Sequence, residues 1–370
     1  MKILFLADSN SPHTIRWAKS LVMYKFEVII FTLHTPNELL FRETPEVKIV
    51  SFNISRRLQS KDEDSLQKII YPYAVFKLKK IIREFRPDIV HAHYASSYGL
   101  LGALSGFHPF VLSIWGSDLF RFPNYSYLHK SIIKLNLHKA DKILATSKTL
   151  KLEAHKYTSK DVTVIPFGID TQLFRPNNVN SIFNSDNLVI GTIKALEINY
   201  GIEYLIKAFD IIRHNFPNIS LKLLLVGSGT QRTNYEKLVN ELGLSNYVHF
   251  TGFVNHEKIP DYQNMLDIYV AMSLQESFGV AILEACSCGT PVIVSDVGGL
   301  PGVVDHGITG YIVESQNVQA LVDSLTKLIL DPVLRDTMGR NGRQKVLREF
   351  DWKESVQKMI SVYNGVIDIK

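Results

Sequence analysis

The segment "DIYVAMSLQESFGVAILEACSCGTPVIVSD", residues 267–296, contains a strand pattern, a loop, a helix pattern and a second strand pattern. The two strand patterns, "DIYVAM" and "PVIVSD", are short and apolar, as in the buried strands of a parallel sheet. Between them the spacing predicts a helix from Val280 to near Gly289, with Gly289 and Pro291 as stop signals. A strand–helix–strand unit of this length predicts an α/β fold with a parallel sheet.

Two glutamates, Glu276 and Glu284, lie in the apolar part of this segment. Burying a carboxylate is costly, so each should have a protein partner or a ligand. Eight residues at about 1.5 Å per residue separate the two by at most about 12 Å along the helix, so one ligand could contact both. The alternative is that Glu276 caps the turn and Glu284 pairs with a buried base.

The loop before the helix has the features of an anion site. Ser277 can cap the helix, and the free N–H groups of the first turn favour negative charge. These N–H groups belong to Phe278, Gly279 and Val280. Gly279 also lets a phosphate approach the backbone closely. We therefore predict that a pyrophosphate binds here, with Glu284 accepting hydrogen bonds from ribose hydroxyls and Glu276 near the sugar beyond the phosphates.

Strand-like runs occur in two series along the chain. The first series comprises Ile3–Ala7, 26–33, Val47–Phe52, Ile89–Ala92, Phe110–Ile114, Lys142–Thr146 and Val162–Ile165, and the second begins near Leu188. The segment 167–187 between them is rich in Pro, Asn and Asp and lacks regular periodicity. We expect two Rossmann-like domains, at residues 1–172 and 173–348. Neither has a dinucleotide fingerprint or a Walker loop, which favours a site in a cleft between the carboxyl ends of the two sheets.

The charge is distributed unevenly over the 370 residues. Residues 1–170 contain 24 Lys and Arg against 15 Asp and Glu, and the remaining residues contain 17 against 21. A basic first half suggests an anionic partner such as a membrane surface or a phosphorylated acceptor, and a solvated lysine-rich face is the alternative. We expect no nucleic-acid partner.

The two cysteines, Cys286 and Cys288, lie together in the apolar helix, so they predict neither a disulfide framework nor a four-ligand zinc site. A reducing cytosol fits this usage. The opening "KILFLAD" is too short for a signal peptide, and no apolar run approaches the roughly 20 residues of a membrane span. We expect a cytoplasmic protein that meets a membrane only peripherally, at the inner face of the plasma membrane.

The motifs together resemble a known family. The E-x7-E pattern of Glu276 and Glu284, followed by "GTPVIVSDVGGLPGVV" and "GITGYIV", is similar to the retaining GT-B glycosyltransferases of group 1, the family 4-like enzymes that use nucleotide-diphosphate sugars. Upstream stretches extend the resemblance: "VIPFGIDTQLF" with Gly168, "LLLVGSG" with Gly227 and "VHFTGFV" with Phe253. These three residues are accordingly expected on the donor side. The resemblance also implies that residues 349–370 form a helix that crosses back to the first domain.

The resemblance implies that a basic pair after the first strand of the second domain binds the donor phosphates. Lys194 stands where the family usually has Arg, and Tyr200 stands where it usually has Lys. One cation is therefore kept and one is lost. The family also implies a metal-independent reaction that needs no cofactor, with lysine charge and helix amides in place of a cation. The acidic triplet at 62–64 is interpreted as a solvated run.

On the acceptor side, Trp115 stands where many relatives have a donor-contacting His, and Asp118 keeps the family pattern. His93, at the end of a strand, and His13, in the first βα loop, both fall on the predicted cleft edge. Either could orient an acceptor hydroxyl, and an ordinary loop histidine is the alternative for each. Trp115 could stack on a sugar or belong to the core.

The stretch "YAVFKLKKIIREFR", residues 73–86, combines apolar positions with five basic residues. Such a helix can lie on anionic lipid, or it can be an ordinary helix of a Rossmann-like domain with a solvated face. The basic first half keeps the membrane interpretation open. Relatives that build lipid-linked polysaccharides dock through their first domain, which fits it.

The predicted function is that of a hexosyltransferase-type enzyme. It would transfer a sugar from a UDP-sugar to a saccharide or lipid-linked saccharide in cell-surface polysaccharide synthesis, with retention at the anomeric carbon. Glu276, Lys194 and His93 are the predicted catalytic residues. Two alternatives stay open, a nucleotide-sugar 2-epimerase on the same scaffold and a non-catalytic partner of an active transferase.

Overall fold

The computed structural model describes residues 1–53 and 70–368. The chain divides into two compact units, Met1–Phe167 together with Glu354–Lys370, and Gly168–Lys353. The acidic triplet at 62–64 lies outside the described residues. None of the helices in the described ranges is both long enough and apolar enough to cross a membrane.

The first unit is built on a seven-stranded parallel sheet in the order β3-β2-β1-β4-β5-β6-β7. Its strands are β1 Lys2–Leu6, β2 Glu27–Thr32, β3 Lys48–Ser51, β4 Ile89–His93, β5 Phe110–Ile114, β6 Lys142–Ala145 and β7 Val162–Val164. Its helices are α1 Pro12–Met23, α2 Ile70–Phe85, α3 Ser97–Ser105, α4 Ser117–Phe120, α5 Tyr127–Lys139 and α6 Lys148–Ala154, with short 3₁₀ turns at Glu38–Phe41 and Phe122–Asn124. All seven predicted strands are present.

The second unit has a six-stranded parallel sheet in the order β10-β9-β8-β11-β12-β13. Its strands are β8 Leu188–Ile193, β9 Leu221–Val226, β10 Val248–Gly252, β11 Ile268–Ala271, β12 Val292–Ser295 and β13 Gly310–Val313. Its helices are α7 Ile202–Asn215, α8 Arg232–Glu241, α9 Ile259–Gln263, α10 Val280–Ser287, α11 Val318–Leu330 and α12 Pro332–Glu349, with 3₁₀ turns at Ile198–Tyr200, His256–Lys258 and Leu300–Gly302.

Each sheet is covered by a core of aliphatic and aromatic side chains, as the apolar strand patterns predict. In the first core, Leu4, Val90 and Leu112 from neighbouring strands are fully buried, and Leu101 from α3 packs with them. Both Cys286 and Cys288 are buried free thiols, and burial raises the pKa of each to about 12. The α/β class with two parallel Rossmann-like sheets is confirmed.

The last helix, α13 Trp352–Ile367, begins in the second unit, and its residues from Glu354 onward belong to the first. Its Tyr363 is fully buried in the first unit, where the hydroxyl lies 2.7 Å from Nδ1 of His91. The other ring nitrogen of His91 lies 2.7 Å from the hydroxyl of Ser113. This hydrogen-bond chain ties α13 to β4 and β5.

The prediction for the start of α1 is wrong. His13 was expected in the first βα loop, but it is the second residue of α1, which begins at Pro12. Proline at the first helical position loses no hydrogen bond there, and its fixed φ suits the helix. His13 therefore lies in the first turn of the helix, at the carboxyl edge of the first sheet.

Candidate functional site

The strongest polar contact among the predicted site residues joins Lys194 and Glu276. Lys194 follows the last residue of β8, and its Nζ donates a hydrogen bond of 2.5 Å to Oε2 of Glu276. Both side chains are largely buried, with 12% and 17% of their surface exposed. Burial alone lowers the pKa of Lys194, but the charge of Glu276 and its hydrogen bond to the ammonium outweigh this effect, so the net pKa lies above the ordinary value. The ammonium is thus charged and held in one place.

Backbone packing fixes the loops that carry this pair. The N–H of Lys194 donates to the carbonyl of Val226 at 3.0 Å, and Gly227 packs against the carbonyl of Lys194. On the other side, Gly298 adopts a left-handed φ of +55°, and a Cβ added there would lie 1.9 Å from the carbonyl oxygen of Glu276. Only glycine fits such an approach, because any side chain would push the Glu276 loop away. The glycine-rich segment after β12 therefore positions Glu276.

Helix α10 begins beside Glu276, as predicted, but its cap differs from the prediction. Gly279, with φ of +102°, is the N-cap residue, and no side chain caps the helix, so the expected cap by Ser277 is wrong. Among the described residues, the N–H groups of Gly279 and Val280 have no hydrogen-bond partner. These groups and the helix dipole favour an anion at this end. The Phe278 side chain points into the core, where its ring lies 6.0 Å from that of Phe350.

Glu284 lies one turn further along α10 and is 7% exposed. Its Oε1 is 3.4 Å from Nε2 of His256, whose side chain is 67% exposed. The partner of Glu284 is therefore a histidine at the surface rather than the buried base of the alternative interpretation. An exposed histidine exchanges easily for a ligand hydroxyl, because water already competes for it.

Tyr269, in the central strand β11, lies close to Lys194 and to both glutamates. It is fully buried, burial raises its pKa to about 12, and its hydroxyl donates to the carbonyl of Ile193 at 3.4 Å. The phenol thus stays neutral and interacts electrostatically with Lys194, Glu276 and Glu284. Its hydroxyl is the one polar side-chain group of the strand Ile268–Ala271.

Two predicted donor-side residues occupy different surroundings. Phe253 follows β10 and is 76% exposed, so its ring is available to stack on a flat ligand. Gly168 packs against the backbone of Trp352, where a Cβ would lie 2.5 Å from the Trp352 Cα. In this structure the role of Gly168 is a close backbone approach at the start of α13.

The predicted acceptor-side residues His13, His93 and Trp115 form one aromatic cluster in the first unit. The Trp115 ring lies 4.4 Å from that of His93 and 5.7 Å from that of His13. His13 stacks on Phe167 at 3.9 Å, with the rings nearly parallel. His93 is 1% exposed, and its Nδ1 lies 3.3 Å from the hydroxyl of Thr14. The cluster closes the carboxyl edge of the first sheet.

Both histidines of this cluster are neutral near pH 7. Burial lowers the pKa of His13 to about 4, with the charge of Arg16 acting in the same direction. Burial also holds the pKa of His93 well below its usual range, together with the neighbouring His91 and His13. A neutral imidazole can accept a proton or a hydrogen bond, which suits the predicted contact with an acceptor hydroxyl.

Asp118 holds backbone together and has little capacity left for a ligand. It is 2% exposed, and its carboxylate accepts hydrogen bonds of 2.7 Å from the N–H groups of Ala95 and Gly116. Burial raises its pKa, and these backbone hydrogen bonds partly offset the shift. Asp118 joins the loops that follow β4 and β5, and through them it positions Trp115.

Three residues near Lys194, Glu276 and Glu284 have no role that the sequence predicts: Tyr269, His256 and Tyr200. Tyr269 is signalled only by a hydroxyl in an apolar strand, and His256 only by its place in the loop after β10. Tyr200 departs from the family pattern, but nothing in the sequence indicates its contact with Lys194. Within residues 1–53 and 70–368, no cluster of three or more His, Cys, Asp or Glu is arranged to hold a metal.

Comparison with protein families agrees with this arrangement. Residues 175–345 match the model "Glycosyl transferases group 1", and residues 2–147 match "Glycosyl transferase 4-like". Two parallel Rossmann-like sheets, of seven and six strands, match the architecture of GT-B glycosyltransferases. The chain belongs to the group 1 glycosyltransferases.

Individual relatives are moderately similar. The N-acetyl-alpha-D-glucosaminyl L-malate synthase of Bacillus anthracis is 26% identical, with 79% of this chain and 78% of that protein covered. A capsular polysaccharide biosynthesis glycosyltransferase of Staphylococcus aureus is 28% identical, with 79% and 80% covered. Among solved structures, Anabaena HepE in complex with UDP superposes with a TM-score of 0.81 at 21% identity, covering 99% and 100% of the two chains.

Proposed function

We propose that this glycosyltransferase transfers a sugar from a UDP-sugar to a saccharide or lipid-linked saccharide, with retention at the anomeric carbon and without a metal ion. The observation that carries the proposal is the Lys194–Glu276 pair, 2.5 Å across, beside the uncapped start of α10. It combines a fixed cation, free backbone N–H groups and carboxylates within the reach of one ligand. UDP in the Anabaena structure and the name of the Staphylococcus relative support the donor and the polysaccharide context.

In the proposed donor complex, the diphosphate lies at the N–H groups of Gly279 and Val280 and against the Nζ of Lys194. Glu284 exchanges His256 for the ribose hydroxyls, and the exposed ring of Phe253 is free to contact the base. Glu276 accepts hydrogen bonds from the transferred sugar while it remains paired with Lys194. Each role uses a group that the second unit already presents.

The proposed reaction breaks the bond between the anomeric carbon and the leaving phosphate oxygen. The acceptor hydroxyl attacks from the same face, and its proton passes to the leaving phosphate oxygen. The transition state is oxocarbenium-like, and negative charge grows on the diphosphate, where Lys194 and the α10 amides stabilise it. Glu276 is engaged with Lys194 and is assigned no nucleophilic role.

The acceptor is proposed to bind the first unit, where neutral His93 and His13 flank Trp115. His13, the less buried of the two histidines, would contact the acceptor hydroxyl through a neutral ring nitrogen, and His93, 1% exposed, would act behind it by holding the Trp115 ring. The buried carboxylate of Asp118 supports this region through its backbone hydrogen bonds. The competing class of acceptor is a small hydroxy acid, like the malate in the name of the Bacillus relative. A transfer assay with malate and with a saccharide as acceptors distinguishes the two classes.

We also propose that the protein is cytoplasmic and associates with the inner face of the plasma membrane through α2 and α5. Exposed aromatic side chains, Tyr73 and Phe76 on α2 and Tyr127 on α5, lie near the start of their helices. Because both helices run antiparallel to a parallel sheet, their first turns lie at the same edge of the first unit. Lysines follow on each helix, and each contributes about 1 kcal/mol toward anionic lipid.

Vesicle sedimentation tests this association. Wild type should bind vesicles of phosphatidylglycerol and phosphatidylcholine and should bind pure phosphatidylcholine poorly. The double variant Lys79→Glu, Lys80→Glu should bind both vesicle types equally poorly. Phe76→Ser should weaken binding to vesicles at every salt concentration. Equal binding to both vesicle types by the wild type would contradict the membrane proposal.

The transferase proposal is tested by thermal shift and calorimetry with UDP, GDP, ADP and CMP, with and without EDTA. Of the four nucleotides, only UDP should raise the Tm of the protein, and EDTA should not change this rise. Lys194→Ala should reduce turnover by about 10²–10³-fold, because it removes the cation at the leaving group. Lys345→Ala is the matched control, since Lys345 is also a buried lysine, paired with Asp305 at 2.6 Å. It should lower stability and leave turnover per folded molecule intact.

The two alternative functions give different results in the same assays. An epimerase would convert the nucleotide sugar alone, with no acceptor present. A non-catalytic partner would bind no nucleotide, or bind it without turnover, and Lys194→Ala would leave the activity of its partner unchanged. Binding of no nucleotide by the wild type would overturn the transferase proposal.

A further inference from the structure

The ammonium of Lys194 has a second neighbour besides Glu276. Its Nζ lies 4.8 Å from the ring centroid of Tyr200, within cation–π distance. The lysine is thus held between a carboxylate at 2.5 Å and an aromatic face. Because only 12% of its side chain is exposed, water solvates little of the ammonium.

The ring of Tyr200 is itself held in place. Tyr200 ends the 3₁₀ turn Ile198–Tyr200, and its side chain packs against the core of the second unit. The turn is tied to the segment before Glu276, because the N–H of Leu274 donates to the carbonyl of Asn199 at 2.8 Å. This hydrogen bond joins the loop after β8 directly to the loop after β11, and it supports the turn that places the Tyr200 ring over Lys194.

An aromatic face and a second cation would act on Lys194 in opposite ways. A second ammonium here would repel the first and would bind phosphate itself. The face of Tyr200 attracts the ammonium without neutralising it, so the positive charge remains available to a phosphate. The lost cation of the family pattern is thus replaced by a group that positions the remaining one.

We propose that Tyr200 is a positioning residue that holds the Lys194 ammonium between Glu276 and the leaving diphosphate. The inference rests on the proposed transferase function and adds a specific role for this residue. The ring acts through Lys194, and the phenolic hydroxyl is not required. Loss of the ring should release the ammonium toward solvent and weaken its contact with the developing charge.

Three variants separate the ring from its hydroxyl and from packing. Tyr200→Phe keeps the aromatic face, Tyr200→Leu keeps an apolar side chain without it, and Tyr204→Leu is the matched control. Tyr204 also faces a lysine, Lys207 at 5.6 Å, and like Tyr200 it packs against the core of the second unit, but its lysine is 46% exposed and pairs with Glu203 on α7. The control removes a similar tyrosine–lysine contact away from Glu276.

The first readout needs no activity. In protein labelled with ¹³C-lysine, the ε-CH₂ proton signal of Lys194, assigned with Lys194→Arg, should be shifted upfield by the ring current of Tyr200. Tyr200→Phe and Tyr204→Leu should keep the shift, and Tyr200→Leu should lose it. An unshifted Lys194 signal in the wild type would overturn the inference whatever the protein catalyses.

The second readout is steady-state kinetics. Tyr200→Leu should lower kcat about tenfold, equivalent to about 1.4 kcal/mol, with a smaller change in KM for the donor. Tyr200→Phe should retain wild-type kcat. If Lys194→Ala abolishes turnover while Tyr200→Leu equals the wild type, the positioning role is refuted and the transferase function stands. If the wild type neither binds UDP nor transfers sugar, the proposed function itself fails.

Discussion

Replacing Glu276 by glutamine should tighten the binding of UDP while destabilising the protein. In the wild type the carboxylate competes with phosphate for Lys194, and the variant keeps the shape of the side chain but removes its charge. The loss of one partner from a largely buried ion pair lowers the free energy of unfolding by about 3 kcal/mol. The ligand should recover part of this loss, because its phosphate supplies the missing counter-charge.

The size of the affinity gain follows from the geometry. Nζ of Lys194 lies 2.5 Å from Oε2 of Glu276. A phosphate oxygen at a hydrogen-bond distance of about 3 Å from Nζ therefore lies at most about 5.5 Å from that carboxylate oxygen. With an effective dielectric constant between about 20, as near a protein surface, and about 80, as in water, the removed repulsion lies between about 3 and about 0.8 kcal/mol for one unit charge. We expect UDP to bind Glu276→Gln about tenfold more tightly.

Isothermal titration with UDP, which carries no sugar, isolates this effect from contacts of Glu276 with the transferred sugar. Thermal unfolding without ligand should give a lower Tm for Glu276→Gln than for the wild type, and saturating UDP should give a larger rise in Tm. Asp305→Asn is the matched control, because it removes the carboxylate from another buried lysine, Lys345. It should lower Tm without changing UDP affinity. A folded Glu276→Gln protein that binds UDP equally or more weakly would refute the placement of the diphosphate at Lys194.

Three further predictions concern other parts of the two units. Gly298→Ala should lower the free energy of unfolding by at least about 2 kcal/mol and reduce UDP binding, because its Cβ would lie 1.9 Å from the Glu276 carbonyl. Gly302→Ala, with no atom within 4 Å of the new Cβ, should be nearly neutral in urea unfolding. Burial lowers the pKa of His91 to about 3, so its contribution to stability is present above pH 6.5 and is lost as the pH falls toward 3, at up to about 1.4 kcal/mol per pH unit. Urea unfolding between pH 7.5 and 4 should show this decline, and stability that stays constant over this range in the wild type would contradict it. Glu284→Ala should abolish the thermal shift caused by UDP, and an unchanged shift would show that ribose binds elsewhere.

The sequence was sufficient for the architecture because each strand carries its own signal. Short apolar runs such as Phe110–Ile114 and the apolar helix at Val280 are local patterns, and the structure has the corresponding elements at nearly the same bounds. The start of α1 also had a local signal, Pro12 at the first helical position, which outweighs the polar composition of the preceding loop. The strands and helices depend on local chain preferences and are therefore predictable from the sequence.

The contacts of the site depend on pairs far apart in the chain. Lys194 and Glu276 are 82 residues apart, and their contact arises because β8 and β11 are neighbours in the sheet. Nothing local to Glu284 indicates that its partner is His256, 28 residues away. The Ser277 cap failed for a different reason. The helix begins at Val280 as predicted, but Gly279, in a left-handed conformation, is the N-cap residue in place of Ser277, and a cap preference is worth only about 1 kcal/mol against this backbone geometry.

Lys194 interacts with Glu276 and, in the proposed complex, also with the diphosphate. This double interaction explains how a single cation could serve the proposed reaction. Glu276 already offsets the charge of Lys194, so the lysine gains little from ground-state phosphate alone. As the bond to the anomeric carbon breaks, negative charge grows on the leaving oxygen and the attraction of Lys194 shifts toward it. An interaction that strengthens mainly in the transition state raises kcat, whereas a second free cation would bind donor and transition state alike. On this reasoning, the aromatic residue at position 200 is compatible with catalysis, because a well-placed charge contributes more to the rate than an additional one.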